Sequence, residues 1–230
     1  MVNFVYVSDI FCPWCFGFAP VLRKLQERFG LGVSVMCGNL VDEPLQTSGM
    51  GTPRLRAFFR RLSDTTGREI GDAFFRLLSK EHSVLMDSSR SCLLLHALKK
   101  LAPGHELEQL ESFQEAFYLR GQDVLDFNVQ AALAMRWGVE SNALADALAS
   151  GEMRCGARQE LAKAEEYLGD FVVYPTLFVQ LENGSLSAVA RGYGPFEKVV
   201  PSVLGVLQGL PDAGQKVESA HACGLDGVCH

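Results

Sequence analysis

The sequence lacks long apolar runs, an excess of basic residues and fixed-period repeats. No apolar run approaches the ~18 residues that a membrane-spanning helix needs, so we expect no part of the chain to cross a membrane. Its 230 residues carry 21 basic and 27 acidic side chains, a formal net charge of −6. A surface of that sign repels nucleic acid phosphates and anionic lipids. Nucleic acids and membranes are therefore not expected partners.

Cysteine is also sparse, with seven residues in a chain long enough to bury a sizeable core. Seven is too few for a disulfide scaffold, and because the number is odd at least one thiol is unpaired. The N-terminus has neither the basic region nor the small-residue cleavage site of a secretory signal, and residues 3–8 alternate like a strand. We expect a cytoplasmic location, the alternative being an exported protein shown without its leader.

Strand-like segments occur near both ends of the chain, and helical periodicity fills the middle. The predicted order is a strand over 2–8, a helix over 13–29, a strand over 33–37, helices from Pro53 to about Leu168, strands over 176–180 and 186–190 around an Asn183-Gly184 turn, and a helix from Pro195 to about Leu207. This order predicts an α/β fold in which a small mixed sheet is interrupted by a helical subdomain.

The segment Cys12-Pro13-Trp14-Cys15 follows the first strand directly and begins the first helix. Pro13 suits the first helical turn, which places Cys12 at or next to the N-cap, where unpaired N–H groups and the positive end of the helix dipole face its sulfur. Cysteines in such settings have a pKa of roughly 3.5–7.5, against ~8.5 for free cysteine. We therefore predict that Cys12 attacks disulfides and that Cys15, one turn further on, is the resolving thiol.

Three other interpretations of this pair are a zinc knuckle, two buried structural thiols and an inert structural disulfide. A zinc knuckle needs a second Cys/His pair, for which the only candidate lies in the C-terminal tail. Two buried structural thiols are disfavoured by the Pro-Trp between them, and an inert structural disulfide is the remaining alternative. We therefore predict a redox-active disulfide and assign no metal site.

The strand, the Cys12–Cys15 motif and the helix, with Pro20 eight positions after the first cysteine, resemble the thioredoxin superfamily. The helical block between the two halves resembles its DsbA-like branch, and residues 6–20 and 191–196 are similar to disulfide isomerases and FrnE-like members of that branch. The resemblance covers residues 2–208 and implies a thioredoxin-like fold (βαβ…ββα) with a large all-helical insertion. The expected boundaries are 1–45 and 155–210 for the thioredoxin-like domain, 46–154 for the insertion and 211–230 for a cysteine-containing tail.

The segment Tyr174-Pro175-Thr176 begins the third strand of the sheet. Alone, a proline at the first residue of a strand indicates an ordinary edge position. The resemblance implies instead that Pro175 is cis, faces the active-site sulfurs and contributes to catalysis, and that the backbone of Tyr174 pairs with an extended substrate. It makes Pro13, Trp14, Tyr174 and Thr176 candidate active-site or substrate-binding residues.

The resemblance implies a thiol:disulfide oxidoreductase or protein-disulfide isomerase that acts on protein or peptide thiols and disulfides. Such an enzyme needs no cofactor beyond its own disulfide, and glutathione is a candidate co-substrate. A cytoplasmic location favours reduction or isomerisation over net oxidation. We expect the insertion to cap the active-site edge and to line a groove with exposed apolar side chains.

Two alternatives to this function remain. One is a glutathione-dependent transferase or isomerase of the kappa or hydroxychromene-carboxylate isomerase type, although those relatives usually have serine in place of Cys12. The other is a non-catalytic protein whose dithiol binds a metal.

The remaining cysteines divide between the tail and the folded part of the sequence. Cys223 and Cys229 form a candidate accessory redox pair that would exchange with Cys12 and Cys15. With His221 and His230, the tail pair could instead bind a metal, or both tail thiols could have no role.

Cys37 and Cys92 are expected to be buried packing residues. Asp9, three residues before Cys12, is expected to be a strand-end residue, with a catalytic role as the alternative. His96 lies on a helix without ligand spacing, and we assign it no role.

Overall fold

The computed structural model describes residues 1–48, 50–79 and 83–209. In chain order its elements are β1 (Asn3–Ser8), α1 (Pro13–Phe29), β2 (Gly32–Cys37), β3 (Leu45–Gln46), α2 (Pro53–Thr66), α3 (Asp72–Leu77), β4 (Leu85–Met86), α4 (Ser88–Leu101), α5 (Glu106–Tyr118), α6 (Phe127–Ala134), a 3-10 turn (Met135–Trp137), α7 (Ser141–Ala149), α8 (Gly151–Leu168), β5 (Thr176–Gln180), β6 (Leu186–Arg191) and α9 (Phe196–Leu207).

Four strands form the main sheet in the order β2-β1-β5-β6. β1 pairs in parallel with β2 and antiparallel with β5, and β6 pairs antiparallel with β5. The carboxyl ends of β1 and β2 therefore meet the first residue of β5 at one edge of the sheet. This arrangement confirms the predicted parallel βαβ unit, the later hairpin and the α/β class.

The central strand β1 is buried on both faces. Residues 4–8 are all buried, because helices cover the sheet on each side. The following helix α1 begins at Pro13 and ends at Phe29. The next residue, Gly30, caps it in the left-handed conformation (φ 65°), which glycine tolerates best. Pro20 lies inside this helix. The predicted bounds of α1 are confirmed at both ends.

The segment between β2 and β5 is helical apart from two short strands. These strands, β3 and β4, contain two residues each and pair antiparallel with one another. The apolar pattern did not predict them, because two residues are too few to show a periodicity.

Helices α5 and α8 cover the outer strand β2. Its backbone amides at Val35 and Cys37 donate to the side-chain carboxylates of Glu106 on α5 (2.7 Å) and Glu160 on α8 (2.9 Å). An unpaired strand edge would leave these buried amides without acceptors. The two carboxylates therefore join these helices to the sheet by hydrogen bonds as well as by apolar packing.

The C-terminal tail lies outside the described residues. The interpretations of Cys223 and Cys229, and of His221 and His230 as metal ligands, therefore stay predictions. Within the described part of the chain, none of the helices combines the length and the apolar character required to cross a bilayer.

Candidate active site

The two cysteines of the motif form a disulfide at the amino end of α1, with Cα atoms 5.2 Å apart. Cys12 is the N-cap residue, with extended backbone, and its Sγ accepts a hydrogen bond from the Cys15 amide at 3.1 Å. The predicted N-cap position of Cys12 is confirmed. The first turn of the helix thus directs an N–H group at the sulfur that would carry negative charge after reduction.

The first residue of β5 lies at the same sheet edge, because β5 runs antiparallel to β1 and pairs Thr176 with Val7. The Tyr174–Pro175 peptide bond is cis, as the resemblance implied. The Pro175 carbonyl accepts from the Gly192 amide (2.7 Å), and the Thr176 hydroxyl donates to the Val173 carbonyl (2.7 Å). These bonds fix the turn that precedes β5 on both sides of the proline.

The Tyr174 ring packs over Gly38, directly after β2. A Cβ atom at residue 38 would overlap the ring, so glycine is required there for space. The Asn39 amide donates to the Tyr174 hydroxyl at 2.9 Å. Burial raises the pKa of Tyr174 to about 12, so the phenol is neutral at physiological pH. Tyr174 is thus a fixed, neutral side chain beside the cis peptide bond.

Asp9 is buried in the loop between β1 and Cys12, and its carboxylate binds three different segments. One oxygen accepts from the Phe11 amide (2.8 Å); the other accepts from the Leu40 amide (3.0 Å) and the Ser88 hydroxyl (2.5 Å). Burial raises the pKa of Asp9, and the hydrogen bonds from Ser88, Phe11 and Leu40 oppose that shift. Asp9 therefore connects the Cys12 loop, the segment after β2 and the start of α4.

Two side chains of α5 hold the backbone of the same loop. The Gln114 amide donates to the Asp9 carbonyl (3.0 Å), and the Tyr118 hydroxyl donates to the Phe11 carbonyl (2.6 Å). The Cys12 amide donates to the Asp9 carbonyl as well (3.2 Å). The insertion thus positions the loop that carries Cys12.

Trp14 is only 1% exposed, so its ring is internal in the disulfide form. It lies between Phe58 of α2, at a ring-centroid distance of 6.0 Å, and Tyr193, at 5.9 Å. Pro13 borders a cavity of about 20 Å³ whose walls include Phe58 and Phe59. Contact of Pro13 or Trp14 with a substrate stays a prediction.

We expected the insertion to line a groove with exposed apolar side chains, but the apolar side chains of α2 are buried. The stripe of Leu55, Phe58, Phe59 and Leu62 is buried. Its side chains pack inward against the start of α1 and against α3 and α5, because aromatic rings of the insertion fill the space above Trp14. The predicted capping of the active-site edge is thus made by buried residues.

The sequence did not reveal the environment of Asp9 or the contacts of His96. Ser88 and Gln114 are 79 and 105 residues from Asp9, and no local pattern indicates such partners. The sequence indicates no functional role for His96, but in the structure its Nδ1 contacts the Glu160 carboxylate at 2.8 Å. The sequence feature that pointed to the first of these networks is an acidic residue, Asp9, three positions before Cys12.

No protein-family model matches the sequence, and no curated protein matches it. Solved structures do match. A provisionally assigned protein disulfide isomerase from Nitrosomonas europaea superposes with a TM-score of 0.71 at 22% identity, over 90% of this chain and 98% of that one.

A second similar protein is the cytosolic disulfide reductase DsbM from Pseudomonas aeruginosa. Its structure superposes with a TM-score of 0.69 at 22% identity, over 90% of this chain and 99% of that one. A structure of DsbM with GSH superposes at 0.64 and 24% identity, over 81% and 88% of the two chains.

A 2-hydroxychromene-2-carboxylate isomerase also matches, with a TM-score of 0.59 at 12% identity, over 94% of this chain and all of that one. Identities this low establish the fold. The protein therefore has the thioredoxin-like fold of the DsbA type, in which a helical insertion separates the βαβ and ββα halves.

Proposed function

We propose that this protein is a thiol:disulfide oxidoreductase that reduces or isomerises disulfides of proteins and peptides. The observation that carries the proposal is the Cys12–Cys15 disulfide at the N-terminus of α1, with the Cys15 amide donating to Cys12 Sγ. A helix N-terminus stabilises a thiolate at that sulfur. The DsbA-type fold and the disulfide reductase among its structural neighbours support the same chemistry.

The reaction begins with the reduced enzyme. The Cys12 thiolate attacks one sulfur of a substrate disulfide, forming a Cys12–substrate bond and releasing the other substrate sulfur as a thiolate that takes a proton from water. Cys15 then loses its proton and attacks Cys12 Sγ. The second substrate thiol leaves, and the enzyme keeps the Cys12–Cys15 disulfide that the structure contains. The substrate gains two electrons and the enzyme loses two.

Substrate binding is assigned to the turn before β5. The backbone of Tyr174 would pair with an extended substrate strand and place its disulfide against Cys12, with Pro175 between them. Thr176 supports this turn through its hydroxyl bond to Val173. The role of these residues is to orient the substrate, since the neutral Tyr174 phenol already accepts from Asn39.

We further propose that glutathione recycles the enzyme by reducing the Cys12–Cys15 disulfide. Cys12 is 2% exposed and Cys15 is fully buried, which favours attack by a small or extended thiol over a rigid protein surface. The DsbM structure with GSH is consistent with such a reductant in a protein of the same fold. Glutathione as reductant also suits the reducing conditions of a cytoplasm.

The test is reduction of insulin disulfides by the full chain with glutathione as the electron source. We expect Cys12→Ser to lower the rate to that of glutathione alone, and Cys15→Ser to accumulate a mixed disulfide at Cys12 that mass spectrometry detects. Cys155→Ser is the matched control, because Cys155 is exposed and free. It should leave the rate unchanged.

A Cys12→Ser variant that retains most of the wild-type rate would disprove the proposal. If that variant instead kept a glutathione-dependent isomerase activity, the chain would belong functionally with the serine-containing relatives. Assays with chelator present throughout distinguish dithiol catalysis from metal binding, because catalysis does not depend on a metal.

A further inference from the structure

A second group of sulfur ligands lies away from the Cys12–Cys15 motif. Cys37 at the end of β2 and Cys92 on α4 are free thiols, 2% and 1% exposed. Their Sγ atoms and one carboxylate oxygen of Glu160 all lie within 4.8 Å of one another. The fold thus brings together two sulfurs that are 55 residues apart in the sequence.

The carboxylate of this group is already engaged by other partners. One oxygen of Glu160 accepts from the Cys37 amide (2.9 Å) and from the Lys99 ammonium, and the other contacts His96 Nδ1 (2.8 Å). Lys99 also donates to the Val35 carbonyl (2.9 Å). Because Glu160 anchors α8 to the edge of β2, the ligand atoms that remain for a bound ion are the two sulfurs. Their own hydrogen bonds are long: Cys37 Sγ donates to the Cys92 carbonyl at 3.9 Å and Cys92 Sγ to the Ala157 carbonyl at 3.5 Å.

Two thiolates without a hard ligand suit a soft cation of low coordination number. A metal–sulfur bond is about 2.3 Å, so a linear sulfur–metal–sulfur unit spans about 4.6 Å and a bent one spans less. The two sulfurs lie within 4.8 Å of one another, a limit close to the span of a linear unit. Soft thiolate ligands select ions such as Cu(I) rather than Mg²⁺ or Ca²⁺.

One ion pair sets the charge beside the two thiols. The Lys99 ammonium binds Glu160 and cancels the charge of its carboxylate. Without that ammonium, the carboxylate would repel the negative charge of two thiolates around Cu(I).

We propose that Cys37 and Cys92 form a buried two-sulfur binding site for Cu(I) or a cation of the same soft class. Binding forms two metal–sulfur bonds and releases the two thiol protons to water, with no change in the oxidation state of the metal or the sulfurs. The proposal does not depend on the activity of Cys12 and Cys15.

A pocket of about 370 Å³ shares Glu160 with this site. Its walls also include His96 and Lys99, but neither Cys37 nor Cys92. The His96 ring packs against Gly156, where a Cβ atom would lie 2.5 Å from Nε2. Glu160 is thus the residue that joins the pocket to the two thiols.

The test uses a full-length variant that keeps only this cysteine pair. It carries Cys12→Ser, Cys15→Ser, Cys155→Ser, Cys223→Ser and Cys229→Ser, and it is titrated with Cu(I) without oxygen against a chromophoric Cu(I) chelator. We expect one equivalent of Cu(I) per chain. Adding Cys92→Ala should reduce this to none.

A second test concerns the charge of Lys99. It compares Lys99→Met with Lys100→Met as the matched control. Both lysines lie on the last turn of α4 and border the pocket, but Lys100 is exposed. Lys99→Met should weaken Cu(I) binding about tenfold, which corresponds to about 1.4 kcal/mol, and Lys100→Met should leave it unchanged.

X-ray absorption at the copper edge keeps the test decisive if Cys92→Ala fails to fold. Two sulfur scatterers in the pair-only variant would support the site. A first shell of nitrogen or oxygen would overturn the proposal, as would complete transfer of copper to the chelator or a Cu(I) stoichiometry that survives loss of Cys92 in a folded chain.

Discussion

At the scale of single residues, Asp9 has more structural connections than its position in a loop suggests. Its carboxylate is the common acceptor for Phe11, Leu40 and Ser88, and its carbonyl accepts from Gln114. Each of these donors belongs to a different segment around the Cys12 loop. The geometry of the Cys12 loop therefore depends on an acidic residue whose carboxylate hydrogen bonds go to neither sulfur.

Replacing Asp9 by alanine should destabilise the protein by about 3 kcal/mol. The substitution leaves buried donors without acceptors, and each unsatisfied group costs about 1–3 kcal/mol. Urea denaturation of the variant beside Asp146→Ala, an exposed aspartate on α7, measures the difference. A loss below about 0.5 kcal/mol for Asp9→Ala would show that the network adds little to stability.

Glu160 should make stability depend on pH on the acidic side. Burial opposes ionisation, but Lys99, His96 and the Cys37 amide together hold the pKa of Glu160 below its usual value. A carboxylate with a lowered folded-state pKa contributes stability above its unfolded pKa of about 4.3, and this contribution disappears as the pH falls through the folded-state pKa.

Glu160→Gln should therefore be less stable than the wild type at pH 7, by about 3 kcal/mol, and the difference should shrink as the pH falls below about 4. Urea denaturation across that pH range measures both quantities. Glu166→Gln, at an exposed position of the same helix, is the control. A difference between Glu160→Gln and the wild type that stays constant down to pH 3 would contradict the assigned ion pair.

At the scale of elements, the end of β2 and the start of β5 meet through one ring. Gly38 follows β2 and leaves space for Tyr174, whose peptide bond to Pro175 is cis. The Gly38 amide donates to the Ser8 carbonyl at 2.6 Å, so this residue is also held against β1. A side chain at residue 38 could not move away from the ring without breaking that bond.

Gly38→Ala should displace the Tyr174 ring and lower the rate of disulfide reduction by about tenfold or more. The free energy of unfolding should fall by about 1–3 kcal/mol. Gly151→Ala is the matched control, because a Cβ atom there has open space at the start of α8. Equal activity of the two alanine variants would show that the position of Tyr174 does not matter to the reaction.

Helices and strands whose own residues show a periodic pattern, a cap or a turn could be predicted from the sequence. Those without such a pattern could not. β1, α1, β5 and β6 have alternating or capped patterns, and the Cys12–Cys15 motif fixed the start of α1. The Asn183-Gly184 pair predicted the hairpin, because both turn residues tolerate a positive φ. In the structure Gly184 has a φ of 86°. The two-residue strands β3 and β4 have no such signal.

The candidate site also contains features that the sequence predicted and features that it did not. The disulfide and the N-cap position of Cys12 depend on residues within one helical turn, so spacing and helix chemistry predicted them. The Asp9 network and the Cys37–Cys92–Glu160 group join positions far apart in the chain, which only the packed fold brings together. The burial of Trp14 depends on Phe58 and Tyr193, which both lie far from it in the sequence.

At the scale of the whole molecule, the insertion and the sheet share one apolar core. Buried side chains of β1, α1, β5, α2, α4, α5 and α8 belong to a single connected cluster. The carboxylates of Glu106 on α5 and Glu160 on α8 add hydrogen bonds to β2. Such continuity favours cooperative unfolding, because neither part can open without exposing apolar surface of the other.

The two tryptophans report on two different places in the molecule. Trp14 is buried at the start of α1, and Trp137 is half-buried within the insertion. We expect guanidinium unfolding of Trp137→Phe, followed through Trp14 fluorescence, to coincide with unfolding of the same variant followed by far-UV circular dichroism. Trp14→Phe, followed through Trp137, should show the same coincidence. Coincident transitions are the mark of a single cooperative unit.

The comparison is made within each variant, so a lower midpoint in Trp14→Phe does not affect it. That variant loses part of a ring packed between Phe58 and Tyr193 and should unfold at lower denaturant. If Trp137 fluorescence changed at lower denaturant than circular dichroism, the insertion would be unfolding first. The loop that holds Cys12 would then lose its bonds from Gln114 and Tyr118 before the sheet opened, and disulfide reductase activity would decline with the earlier of the two transitions.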